Sequence, residues 1–129
     1  MFFVYINLEE RKEKNEYMIN LLNSMELTYE RFEAIKPTKI DVLKNDRLVK
    51  RVIDYLNDDV RVMRGIGLLG CYLSHRQLLE KYKNIKSEFL VVLEDDVHFT
   101  EKSIKLVEEN IDFLQKNNLD WDILRSVSG

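Results

Sequence analysis

The chain has one cysteine, one proline and four glycines in 129 residues. A lone Cys71 excludes an intramolecular disulfide framework and any cysteine-rich zinc site, and it is compatible with a reducing compartment. No stretch reaches the roughly 18 consecutive apolar residues that a membrane span needs. The opening "MFFVYINLEERKEK" has too short an apolar run for a signal peptide, and its positive charges follow that run instead of preceding it. Basic excess is also missing. Twenty Lys and Arg against 23 Asp and Glu give a net charge of −3, which disfavours an extended nucleic-acid surface. There are no internal repeats and no low-complexity linkers. Together these absences set the expectation of a cytoplasmic chain without a transmembrane segment, with peripheral membrane attachment still compatible.

What is present is ordinary for a globular chain: 45% hydrophobic and 33% charged residues, enough for one continuous core. The β-branched and aromatic run "FFVYIN" at residues 2–7 predicts a strand. Tyr17, Met18, Leu21, Leu22 and Met25 recur at helical spacing and predict a helix over 10–25. A second strand is expected over 27–35, closed by a break at Pro37. Residues 39–64 are polar and lysine-rich, with a helix expected around 46–56. A further helix is expected over 68–83. "FLVVL" at 89–93 has the continuous apolar character of a parallel strand covered on both faces. Thr100 is placed to cap a helix over 100–116, and "WDIL" at 121–124 is read as a last strand. Strands alternating with helices predict a three-layer α/β architecture with a mostly parallel sheet. Ligands of such sheets bind outside the carboxyl ends of the strands, which directs attention to the loops after Asn7 and Leu93.

At the second of these loops the buried strand delivers Glu94, Asp95 and Asp96 in succession. If the backbone stays extended, Glu94 and Asp96 point one way and Asp95 the other. Two converging carboxylates suit magnesium or manganese held jointly with a substrate phosphate, and the plain alternative is three solvated acids ending a strand. At the first loop, Asn7 is followed by Arg11, Lys12 and Lys14, cations that either reach a phosphate or form a solvated helix face. Ser74 and His75 are adjacent on their helix and do not face each other as a nucleophilic pair. A buried hydrogen bond is the alternative to a ligand contact there. Gly65, Gly67 and Gly70 have the G-x-G-x-x-G spacing of a dinucleotide-binding turn, but no buried strand precedes them. They are therefore read as a flexible lead-in to the helix, and a dinucleotide-binding oxidoreductase as the weaker reading.

Taken in order, "YINLEERKEK", "YERFEAI", "GLLGCYLSHRQLLEK" and "FLVVLEDDVHF" resemble glycosyltransferase family 25. The resemblance implies a GT-A-type nucleotide-sugar fold. It also implies transfer of a sugar, commonly galactose and hence from UDP-galactose, from a nucleotide diphosphate donor to a hydroxyl of a glycan or protein acceptor. Ile6, Asn7 and Leu8 with Arg11 match the nucleotide-side start of the family, and Lys14 stands where its members often carry arginine. Gly70, Cys71, Ser74 and His75 match its central helix, and Glu94 to Asp96 its acidic metal and donor-phosphate motif. The residues so implied are Asp96 and His75 as catalytic groups, and Ile6, Asn7, Leu8, Arg11, Lys14, Ser74 and Asp95 as substrate contacts. Glu94 and Asp96 are implied as ligands of Mn2+ or Mg2+. Members of the family continue beyond the segment matching 121–124. Residues 1–129 are therefore expected to form a single donor-binding domain lacking the acceptor side, and a catalytically silent nucleotide-sugar binding module is the alternative to a working transferase.

Overall fold

The computed structural model describes residues 1–38 and 59–125, with the backbone alone for 59–62. The helix expected around 46–56 lies outside the described residues. The described chain runs β1 (Phe2–Asn7), α1 (Lys12–Ser24), β2 (Tyr29–Glu33), α2 (Asp59–Tyr82), β3 (Leu90–Glu94) and α3 (Glu101–Lys116). It falls into two compact units, Met1–Asp95 and Asp96–Gly129.

In the first unit the three strands form a parallel sheet in the order β2-β1-β3. Phe3, Val4 and Tyr5 of the central strand are almost fully buried, as expected of a strand covered on both faces. Strand alternation sorts the core. Phe3, Tyr5 and Asn7 share one face, where Tyr5 Oη donates to Asn15 Oδ1 of α1 at 2.5 Å. Met18 and Leu22 of α1 have no exposed surface. Phe2, Val4 and Ile6 share the other face with Leu78 and Tyr82 of α2, together with Phe32, Ile85, Leu90 and Val92. The result is helix, sheet, helix. Burying a leucine-sized side chain stabilises by about 1.5–3 kcal/mol, so each helix is held by its apolar stripe more than by its propensity.

α1 ends where Glu26 turns left-handed at φ 54°, with Leu27 N–H donating to Leu22 O at 3.2 Å. This is a Schellman closure made without glycine. In the second unit, Thr100 caps α3 as its position predicts. Its N–H donates to Ser103 Oγ at 3.0 Å, and Ser103 N–H donates back to Thr100 O at 2.9 Å. Asn118 at φ 52° closes that helix in the same way as Glu26, with Leu119 N–H on Leu114 O at 3.0 Å.

Two expectations are corrected. α2 begins at Asp59 instead of 68, so Gly65, Gly67 and Gly70 lie inside a helix and form neither a flexible lead-in nor a phosphate-binding turn. A dinucleotide fingerprint needs its glycines at a strand-to-helix turn; these lie well past the first turn of α2, which removes that reading. Gly70 has a packing role instead. A Cβ there would meet Ile35 O at 2.8 Å and Pro37 Cδ at 3.0 Å, so the absent side chain lets the segment after β2 cross close to the helix. The second correction is at 121–124, which pairs with no strand among the described residues and leaves Ile123 79% exposed. "WDIL" carries β propensity, and propensity without a backbone partner does not make a strand.

Candidate functional site

β1 connects through α1 to β2 on one side of it, and the chain then returns past α2 to β3 on the other side. The winding direction reverses at β1, and the crevice outside the carboxyl ends of β1 and β3 is the topological switch point where open α/β sheets bind ligands. The register pairs Ile6 with Glu94, which places Asn7 opposite Asp95 just past the end of β3.

Those two buried residues anchor a closed polar network. Asn7 is 2% and Asp95 4% exposed. Asn7 Nδ2 donates to Asp95 Oδ2 at 2.8 Å and to Arg11 O at 3.1 Å. Its Oδ1 accepts from Arg31 Nε at 3.0 Å, while Arg31 Nη2 donates to Asn7 O at 3.1 Å. Arg11 Nη1 meets Asp95 Oδ1 at 2.9 Å. Asn7 thus receives from a guanidinium and gives to a carboxylate through the separate acceptor and donor ends of one amide. Asp95 has both oxygens engaged, which offsets the cost of burying its charge. The Arg11 side chain is 41% exposed. Beside this network an open polar cleft of about 460 Å³ is lined by Asn7, Glu9, Lys12, Asn15, Glu16, Arg31 and Glu33. Burial raises the Tyr5 phenol above its ordinary value, Arg31 acting against that rise and Tyr29 with it.

On the α2 face a second group forms. Glu94, the last residue of β3, brings Oε1 to 3.6 Å from His75 Nε2. Cys71, four residues before His75, joins them, and one donor atom from each of the three lies within 4.8 Å of the others. Partial desolvation, and then the Glu94 carboxylate, push the thiol of the exposed Cys71 above its ordinary value.

The remaining residues singled out from sequence are placed as follows. Ser74 is buried, and its Oγ accepts from Ile35 N–H at 2.9 Å, the hydrogen-bond alternative to a ligand contact. Ile6 packs into the core against Val4, Leu78 and Tyr82. Leu8 is half-buried, and Lys14 is exposed on α1 while Lys12 lines the cleft. His98 is exposed. Strand β3 stops at Glu94, with Asp95 and Asp96 in a turn and Asp96 exposed. The alternation that aligns Asp96 with Glu94 therefore ends before reaching it. Arg31 and Cys71 carry signals that the sequence held. Arg31 shares strand parity with Tyr29 and Glu33 in β2, and Cys71 stands one helical turn before His75.

The profile of glycosyltransferase family 25 (LPS biosynthesis protein) matches residues 1–126. The chain belongs to glycosyltransferase family 25. A glycosyltransferase 25 family member from Aedes aegypti is 30% identical over 123 residues, covering 92% of this chain and 20% of that protein. Human procollagen galactosyltransferase 2 is 25% identical over 120 residues, covering 92% of this chain and 19% of the relative. Its mouse counterpart is 27% identical over 123 residues, with 92% and 19% covered. This family 25 chain thus spans about a fifth of the length of the curated relatives it matches. No solved structure matches it. Among the described residues, no helix is long and apolar enough to cross a membrane.

Proposed function

We propose that this chain is the donor-binding part of a hexosyltransferase with a GT-A-type fold. It would take a nucleotide diphosphate sugar, UDP-galactose first among candidates, for transfer to a hydroxyl of a glycan or protein. The observation that carries this is the Arg11–Asp95–Asn7–Arg31 network at the switch point of a family 25 chain. Asp95 and Asn7 position Arg11, whose half-exposed guanidinium-bearing side chain suits a diphosphate. Arg31 and Lys12 border the polar cleft, which suits a ribose and base.

Manganese or magnesium fits this reading through its donors. Asp95 is engaged by Arg11 and Asn7, whereas Glu94 and Asp96 are exposed and offer hard oxygens. They are the residues that would hold the ion, which when bound supplies charge neutralisation on a departing diphosphate. In the transfer, the bond from the sugar anomeric carbon to the diphosphate oxygen breaks and a bond to the acceptor oxygen forms. The acceptor proton passes to a base. His75 is the candidate for that proton, with Glu94 placed to stabilise the resulting imidazolium. A cytoplasmic location accords with the single cysteine.

The test is a thermal-shift screen of nucleotide sugars with and without manganese, repeated on Arg11→Ala. Ligand at about 100 times its dissociation constant stabilises by about 2.7 kcal/mol, a readily measured shift. A metal-linked shift with UDP-galactose that Arg11→Ala abolishes supports the reading. Sugar release lost in Glu94→Ala and Asp96→Ala separates transfer from silent binding. No shift with any nucleotide sugar refutes the proposal.

A further inference from the structure

We infer that Cys71, His75 and Glu94 form a binding site for a borderline-soft divalent metal of the zinc class, an occupancy that shares Glu94 and His75 with the manganese and base roles proposed above and competes with them. Cys71 and His75 are four residues apart on α2, so their side chains rise from one face on successive turns. The parallel register puts Glu94 on the sheet face that α2 covers, beside Ile6. Two elements therefore deliver three ligands of three kinds: one sulfur, one nitrogen and one oxygen.

The distances are near those of an assembled site. Bonds of about 2.0–2.3 Å at tetrahedral angles set ligand atoms about 3.3–3.6 Å apart. His75 Nε2 and Glu94 Oε1 already stand at 3.6 Å, and all three donor atoms lie within 4.8 Å of one another. Closing the remainder takes about 1 Å of movement in side chains, two of which are exposed and one half-exposed. A thiolate selects against magnesium and calcium and favours zinc or its spectroscopic surrogate cobalt. Thiolate and carboxylate together balance the charge of a dication, with a neutral imidazole as third ligand. Glu94 Oε1 faces His75 Nε2, whereas Arg11 is committed to Asp95. Three protein ligands leave a fourth position open to water or a substrate oxygen, the arrangement of zinc sites that do chemistry rather than brace a fold. Binding balances as loss of the thiol proton to solvent and formation of the metal–sulfur bond.

The test is titration of the whole chain with cobalt(II) under a non-thiol reductant, without nucleotide, so its outcome is independent of the donor reading. Cys71 is the sole cysteine, so a thiolate-to-cobalt charge-transfer band reports this site alone. The expected result is one cobalt bound with that band, bleached by zinc and absent in Cys71→Ser. His75→Ala and Glu94→Gln each weaken cobalt binding by roughly tenfold or more, and Asp96→Asn retains it. Far-ultraviolet circular dichroism checks that each variant is folded. Absence of the band in the parent chain overturns the assignment. So does an affinity unchanged in both His75→Ala and Glu94→Gln, or one that Asp96→Asn weakens as much as Glu94→Gln.

Discussion

Replacing Gly70 by alanine adds one methyl group where the segment after β2 crosses α2. Helix propensity favours the change by about 1 kcal/mol. The new Cβ, however, would stand 2.8 Å from Ile35 O and 3.0 Å from Pro37 Cδ, and neither backbone oxygen nor proline ring is the free end of a flexible side chain. Overpacking of this kind costs about 1–3 kcal/mol. Moving Ile35 away also stretches its N–H bond to Ser74 Oγ, worth about 1 kcal/mol. The net expectation is a loss of about 1–3 kcal/mol. At Gly67, one turn earlier, a Cβ would meet nothing within 4 Å, so the same substitution there gains about 1 kcal/mol. The two variants share their chemistry and differ in sign. Urea unfolding followed by circular dichroism should separate their midpoints by about 1–2 M, with the parent between them. If Gly70→Ala is stabilised as much as Gly67→Ala, the close crossing of Ile35–Pro37 over α2 is refuted.

Asn7→Asp replaces a donor to Asp95 with a like charge at the same place and should destabilise by about 2–4 kcal/mol in denaturant titration, more than Asn7→Ala. Glu26→Gly should raise stability by about 1 kcal/mol, because Glu26 holds φ 54° without the freedom of glycine; an unchanged melting temperature would argue against that conformation. Tyr82 is buried, and desolvation together with its hydrogen bond to Glu30 pushes its pKa up to about 12. Its folded value lies above its unfolded value of 10.0, so the stabilisation is complete below pH 10 and is lost as pH rises toward 12. That loss is about 3 kcal/mol by the two-unit shift, and Tyr82→Phe should flatten the alkaline limb of a stability-against-pH curve.

β1, β3, α1 and α3 are legible in the sequence because their apolar residues keep a single period, the strands as short apolar runs and the helices as stripes; β3, however, is an edge of the described sheet with only Leu93 buried, not a strand covered on both faces. The start of α2 is not legible, because three glycines read as punctuation, whereas here close packing over one of them outweighs its poor helix propensity. The acidic triplet is legible as a feature, but its division is not. Asp95 is drawn to the α1 side by Arg11 and Asn7, and the latter bond joins residues 88 positions apart. Pairing over that separation follows from strand order, which local sequence does not encode. The Cys71–His75 alignment requires only helical spacing, while the arrival of Glu94 beside it requires the register of β1 with β3.

The strand order also bears on how the chain is made. β1 is the centre of the sheet and precedes both of its partners in the chain, β3 being the last of the three to be synthesised. At about 5–20 residues per second, the roughly 60 residues between Glu33 and Glu94 leave one edge of β1 unpaired for about 3–12 s. "FFVYIN" has the apolar, β-favouring composition that recruits other nascent strands, and the "EERKEK" run directly behind it supplies the flanking charges that deter such pairing. The charged segment that presents Arg11 at the crevice thus also guards the sheet during translation, so neutralising its lysines should lower soluble yield before it alters the folded protein.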